Sequence, residues 1–176
     1  MPKAPQRLCR MLLLVVLVTT CIGCDQATKT LATDLMQSSP PISLLADTIR
    51  IEYAENPGAF LGLGSTLPRS TRTLIFGVAN GALLLLMLGT LVLKWRMLRV
   101  PFLGLGLMAG GGLSNLIDRV LRDGRVTDFL NLGIGPIRTG IFNVADVAIV
   151  VGVGLLLVAA LQETKGPMDE TARKPA

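Results

Sequence analysis

The chain has 176 residues, 51% of them hydrophobic and only 16% charged, where an average globular domain carries about 25% charged residues. The apolar residues gather into long uncharged runs, which excludes an ordinary soluble domain, a disordered chain and a coiled coil, and three cysteines are too few for a disulfide scaffold. The net charge of +5 does not call for nucleic acid, because the basic residues flank the apolar runs and serve as topology determinants.

In chain order, Met11 to Cys24 is the first uncharged run, with Lys3, Arg7 and Arg10 before it. Its layout is that of a signal peptide, and Cys21-Ile22-Gly23-Cys24 approaches a lipoprotein cleavage box, although Cys21 stands where such a box prefers Leu. Extending the run back to Leu8, with Arg10 snorkelling to the interface, gives a short span over about 8–24. Retention as a first helix is the preferred reading, given the spans that follow. Thr48 to Ala54 then alternates, with Ile49, Ile51 and Tyr53 on one face and Arg50 and Glu52 on the other, which predicts a strand between the turn signals Pro40-Pro41 and Asn56-Pro57-Gly58. The glycines around Phe60 and Leu61 suggest a second short strand or a lipid-facing loop.

The second span is predicted over about 73–93, since Leu74 to Leu93 at 1.5 Å per residue reaches roughly 30 Å, the hydrocarbon thickness. The third, about 100–118, is rich in glycine, and Gly106-x-x-x-Gly110 and Gly77-x-x-x-Gly81 read as packing seams. The fourth covers about 141–161 and is apolar except for Asn143, Asp146 and its flanks. Four spans put both termini on one side. Lys94, Arg96 and Arg99 fall within one short connection, which marks that side as cytoplasmic and leaves 25–72 and 119–140 outside. Residues 1–164 form one membrane domain, and 165–176 read as a disordered cytoplasmic tail.

Charged groups at membrane depth cost at least about 2.5 kcal/mol, so each calls for a reason. Asp146 lies just inside the outer end of the fourth helix with Asn143 on the same face; Asn115, Asp118 and Arg119 end the third helix; Asp128 sits between apolar neighbours; Asp25, Gln26 and Lys29 end the first. Asp25 with Lys29 also fits a helix-surface ion pair, Asp118 with Arg119 an interfacial anchor, and Asn143 a cap or helix bridge. Asp146 is a functional candidate by default.

The chain has no His, Cys9 is far from Cys21 and Cys24, Cys21-x-x-Cys24 lacks a βαβ context, and Ser114 lacks an obvious base. What remains is carboxylate chemistry. Two carboxyl groups sharing a site can keep one protonated and one ionised, and so activate a water and protonate a leaving amine. The residues alone leave open whether Asp118 or Asp128 partners Asp146. A proton or ion translocator using Asp146 is the alternative, but its acids should reach both faces.

Five blocks, in order, carry a resemblance: Asp25-Gln26-Ala27-Thr28-Lys29, Asn56-Pro57-Gly58-Ala59-Phe60, Gly111-Gly112-Leu113-Ser114-Asn115-Leu116-Ile117-Asp118-Arg119, Val126-Thr127-Asp128-Phe129 and Phe142-Asn143-Val144-Ala145-Asp146. Together they resemble the motif set of the bacterial lipoprotein signal peptidases, the signal peptidase II family of aspartic peptidases. The resemblance implies a mainly α membrane protein of four transmembrane helices, with a small β-sheet cradle and loops on the periplasmic side. It implies Asp128 and Asp146 as catalytic residues, Asn115, Arg119, Asn143, Asn56 and Gly58 as substrate-binding, and Asp25, Lys29 and Asp118 as support. It also implies a monomer in the bacterial inner membrane, surrounded by lipids, acting on prolipoproteins before a diacylglyceryl cysteine, with no metal or organic cofactor. The family often has one more residue between the Gly58 and Phe60 positions.

Overall fold

The computed structural model describes residues 3–58, 64 and 66–165. The chain runs α1 (Lys3–Met36), β1 (Ile42–Leu44), β2 (Ile49–Asn56), α2 (Arg69–Arg72), a π-helical segment (Thr73–Ala79), α3 (Asn80–Leu93), α4 (Arg99–Leu121), β3 (Val126–Ile134), β4 (Ile137–Arg138) and α5 (Val144–Lys165). Four helical stretches are long and apolar enough to cross a membrane: Ala4–Met36, Arg69–Leu93, Arg99–Leu121 and Val144–Glu163. The stretch around Phe60 and Leu61 and the tail beyond Lys165 lie outside the described residues.

The helices hide few side chains from their surroundings, as expected where lipid replaces water as solvent. Leu85, Leu86 and Leu93 of α3 are largely exposed, and buried residues concentrate on α4, which packs against α1, α3 and α5. Its glycines make this possible. A Cβ at Gly106 would stand 2.7 Å from Leu17 and one at Gly110 2.8 Å from Cys21, so that pair forms a seam against α1. On the opposite side, Gly104 faces the Gly152 carbonyl and Gly111 the Ala145 carbonyl of α5, where a Cβ would come within 2.9 and 2.4 Å. The Gly77-x-x-x-Gly81 pair is not a close seam: a Cβ at Gly77 meets nothing within 4 Å, and at Gly81 only Leu116 at 3.9 Å. Glycine spacing permits close approach, but whether a helix arrives there depends on the neighbouring faces.

Gly111→Ala is therefore expected to push α4 from α5, because backbone cannot yield as a side-chain tip can. Overpacking of this kind costs about 1–3 kcal/mol, so the thermal midpoint in detergent should fall by about 5 °C, while Gly77→Ala leaves it unchanged. Differential scanning fluorimetry of both variants checks this.

The strand predicted over Thr48 to Ala54 is β2, extended to Asn56. It is one member of a four-stranded antiparallel sheet ordered β1-β2-β3-β4. Ile49 pairs with Leu132, Ile51 with Leu130, and, past an irregularity, Ala54 with Asp128 and Asn56 with Val126. β3 shows no alternation in the sequence, because Val126, Thr127, Asp128 and Phe129 are all buried and the pattern of a half-exposed strand is lost. In the β1–β2 turn, Leu45, Ala46 and Asp47 all take positive φ. Asp47 holds this turn together. Its carboxylate accepts from Arg50 at 2.7 and 2.5 Å and from Ser43 at 2.7 Å, with Arg138 reaching it at 3.3 Å, and the Arg50 hydrogen bond holds its carboxyl well below the usual carboxylate range.

Two features set the site. First, α1 does not stop with its apolar run at Cys24 but continues to Met36, so Asp25, Gln26 and Lys29 stay on a helical face against α4. Second, the Phe129 and Leu130 amides both donate to the Phe142 carbonyl, at 3.0 and 2.8 Å, which ties β3 to the start of α5.

Candidate active site

At one end of the bundle, α1, α4, α5, β2 and β3 bring together every site residue singled out from the sequence. Asp25, Lys29, Asp118 and Asn143 are completely buried, and Asp128, Asn115 and Asp146 nearly so. Buried polar groups must find partners, and here they bond to one another in two layers.

The deeper layer is centred on Lys29. Its ammonium lies 2.6 Å from Asp25 and 2.9 Å from Asp118 and donates to Asn115 Oδ1 at 2.9 Å. Asp25 also accepts from Ser114 Oγ at 2.7 Å and from the Ala145 amide at 2.8 Å, which ties α1 to α4 and α5. Asp118 accepts from Gln26 at 2.9 Å and from the Thr127 amide at 3.1 Å, which anchors the start of β3. The Asp25–Lys29 pair is thus interior rather than on a helix surface, and Asp118 turns inward to Lys29 instead of forming an interfacial anchor with Arg119.

The upper layer holds the other two aspartates through three asparagines, each oriented by an obligate donor on its oxygen. The Lys29 ammonium occupies Asn115 Oδ1, so the Asn115 amide nitrogen faces Asp146, 2.9 Å away. The Asp146 backbone N–H donates to Asn143 Oδ1 at 2.9 Å, so Asn143 Nδ2 donates to Asp128 at 2.6 Å. The Gly58 N–H donates to Asn56 Oδ1 at 2.8 Å, so Asn56 Nδ2 donates to the second Asp128 oxygen, also at 2.8 Å. A flipped amide would oppose donor to donor in each case. Asn143 does cap α5, but it also bridges the two carboxylates, since its own backbone N–H donates to Asp146 at 3.2 Å.

Burial pushes the Asp128 carboxyl up to about 6, the hydrogen bond from Asn56 opposes this, and the nearby Asp146 charge adds to it. A carboxyl group that keeps its proton to higher pH than an ordinary carboxylate, beside a second carboxylate, can serve as acid while the other serves as base. Beside the pair, Phe76, Asn80, Asn115, Arg119, Asp146 and Ile149 line a cavity of about 420 Å³. Arg119 donates to the carbonyls of Gly58 at 2.9 Å and Asn115 at 3.1 Å and lies 5.8 Å from the Phe76 ring centroid. Its Nε is buried without a partner among the described residues.

Three contributors escaped the sequence reading. Ser114, a nucleophile without a base in the sequence, links Asp25 to Gln26. Phe76 and Asn80 line the cavity from the second span, where the sequence singled out only Gly77 and Gly81. Asn80 carried a signal, as a lone amide within an apolar span, and Phe76 lies in the π-helical segment, a geometry common at functional sites. Glu55 adjoins Asn56 in sequence but turns away to Arg125 and Tyr53.

Known proteins share both sequence and fold. The family model described as Signal peptidase (SPase) II matches residues 17–162. A lipoprotein signal peptidase of Pelotomaculum thermopropionicum is 37% identical, the match covering 92% of this chain and 97% of that protein. One from Rhodococcus jostii is 35% identical over 91% of this chain and 78% of the relative. A bacterial membrane enzyme solved by the in meso method at 2.3 Å resolution superposes with a TM-score of 0.77 at 24% identity, covering 93% of each chain, and so shares the fold. Relatives this similar over nearly the whole length, together with a family model that spans all four helices and the sheet, establish that the chain belongs to the signal peptidase II family of aspartic peptidases.

Proposed function

We propose that Asp128 and Asp146 are the catalytic pair of a peptidase that removes the signal peptide from prolipoproteins, cutting before the diacylglyceryl cysteine. The observation that carries this reading is Asn143, whose side chain donates to Asp128 while its main chain binds Asp146. Asp146, ionised, takes a proton from a water whose oxygen attacks the scissile carbonyl carbon, and protonated Asp128 donates to the carbonyl oxygen. The tetrahedral intermediate then collapses with cleavage of the C–N bond: one hydroxyl proton returns to Asp128 as the carbonyl re-forms, and the proton held by Asp146 passes to the leaving amine. Arg119, Asn115, Asn143, Asn56 and Gly58 position the substrate: Arg119 offers its Nε, unpaired among the described residues, and the apolar cavity wall along α5 suits acyl chains.

Incubation of the purified protein with a diacylglyceryl prolipoprotein should release the signal peptide. An intact substrate, with the protein folded, would overturn the reading.

Asp128 loses the shared proton as pH rises through its titration, so kcat/KM should fall on the alkaline side with a midpoint near 6. Asn56→Ala removes a hydrogen bond that favours the ionised form, and the alkaline limb should then move to higher pH. A pH–rate profile of both proteins tests the sign.

The basic connection Lys94–Arg99 supports a bacterial inner-membrane topology with both termini cytoplasmic and the aspartates at the periplasmic face. A fluorescent protein that matures only in the cytoplasm, fused after Ala176, should fluoresce; a dark, full-length fusion would reverse the topology.

A further inference from the structure

At the end of the bundle opposite the aspartates, about 24 Å from Asn115 along α4 at 1.5 Å per residue, α1 and α4 and the connection between α3 and α4 enclose a second cavity, of about 850 Å³. Three guanidinium groups line it, Arg10, Arg96 and Arg99, with Trp95 beside them and Leu13 and Phe102 as apolar wall. Arg10 is fixed in place. It donates to the carbonyls of Trp95 at 2.8 Å and Met97 at 2.5 Å and lies 5.2 Å from the Phe102 ring centroid. Arg96 lies over the Trp95 ring at 5.0 Å. Among the described residues none of the three forms an ion pair, although every buried cation at the catalytic end has acidic partners or lies among them. Three like charges around one concavity repel one another and create a positive potential that a bound anion relieves. The cavity lies at the ends of the Ala4–Met36 and Arg99–Leu121 spans, its lining turning from guanidinium to apolar, and basic pockets between helices at span ends suit anionic lipid headgroups.

We propose that this cavity binds the phosphate headgroup of one anionic phospholipid, held by Arg96 and Arg99 with Arg10 behind them, its acyl chains leaving past Leu13. The catalytic assignment does not use these residues, so the lipid clamps α1 to the α3–α4 connection independently of the peptidase chemistry.

Native mass spectrometry of the full chain, released from detergent containing equimolar phosphatidylglycerol and phosphatidylcholine, tests the site. Wild type should retain one phosphatidylglycerol in preference to phosphatidylcholine. An Arg96→Gln/Arg99→Gln double variant should lose about thirtyfold of that retention, the scale set by two interfacial cation contacts, and Arg99→Gln alone about fivefold. Both side chains are exposed, and retained peptidase activity verifies the fold. An Arg7→Gln/Lys94→Gln variant removes the same charge outside this cavity and should retain the lipid. Equal retention in wild type and the Arg96/Arg99 variant, equal loss in the two double variants, or indifference to headgroup charge would each overturn the proposal. Displacement by millimolar inorganic phosphate alone would also overturn it, by showing a site for the free anion rather than for the lipid.

Discussion

Asp128→Asn and Asp146→Asn should each lower kcat for prolipoprotein cleavage by at least about three orders of magnitude, within the range set by removal of a general acid or base. The change is nearly isosteric, so the cavity and the asparagine frame should persist. An amide at Asp146 cannot take a proton from water, and an amide at Asp128 holds no transferable proton. In the Asp128 variant the new NH2 group also meets Asn56 or Asn143, both of which present donors. That opposition costs about 1–3 kcal/mol, so folding must be verified by thermal melt. Glu55→Gln is the control. Glu55 lies beside the Asn56 block but is exposed and paired with Arg125, so this variant should keep wild-type activity. Normal cleavage by either aspartate variant, folded, would remove that residue from the catalytic pair.

Lys29→Met should produce the largest loss of stability. Asp25 and Asp118 both point at one fully buried ammonium, and removing it leaves two carboxylates close together without a cation. Breaking a buried pair in this way costs about 3–5 kcal/mol, or roughly 10 °C in thermal midpoint for a chain of this size. Adding Asp25→Asn and Asp118→Asn to Lys29→Met should recover part of the loss, because neutral amides need no counter-ion. Activity should not return in the triple variant. Lys29 also holds Asn115: without it Oδ1 keeps only the longer bond from Asn143 Nδ2, at 3.2 Å, and the amide that donates to Asp146 is less firmly fixed. Thermal stability that recovers while activity does not would separate the positioning role of Lys29 from its structural one; recovery of both would overturn the positioning role.

The spans were legible because a bilayer demands about 20 apolar residues per helix, a requirement local sequence alone satisfies or fails. The same economy of charge exposed Asp146, since an acid inside an apolar run has few structural explanations. β2 was visible through its alternation. β3 was not, because both of its faces are covered at Asp128, and burial on both faces depends on α4 and α5 rather than on the strand itself. The glycine pairs show the same division: both have the spacing for close approach, but only at Gly106 and Gly110 does a partner helix come within 3 Å of an added Cβ.

The membrane setting, the helix count and the polar residues at one end are readable from the chain alone, because hydropathy and motif order are local properties. The residues alone leave open whether Asp118 or Asp128 stands beside Asp146, because the choice depends on long-range pairing. The geometry comes from long-range contacts: Lys29 takes Asp118 into the deeper layer, and the β3–α5 tie at Phe142 delivers Asp128 to Asn143. A single buried ammonium thus sorts four aspartates into two that are neutralised by it and two that are held by amides.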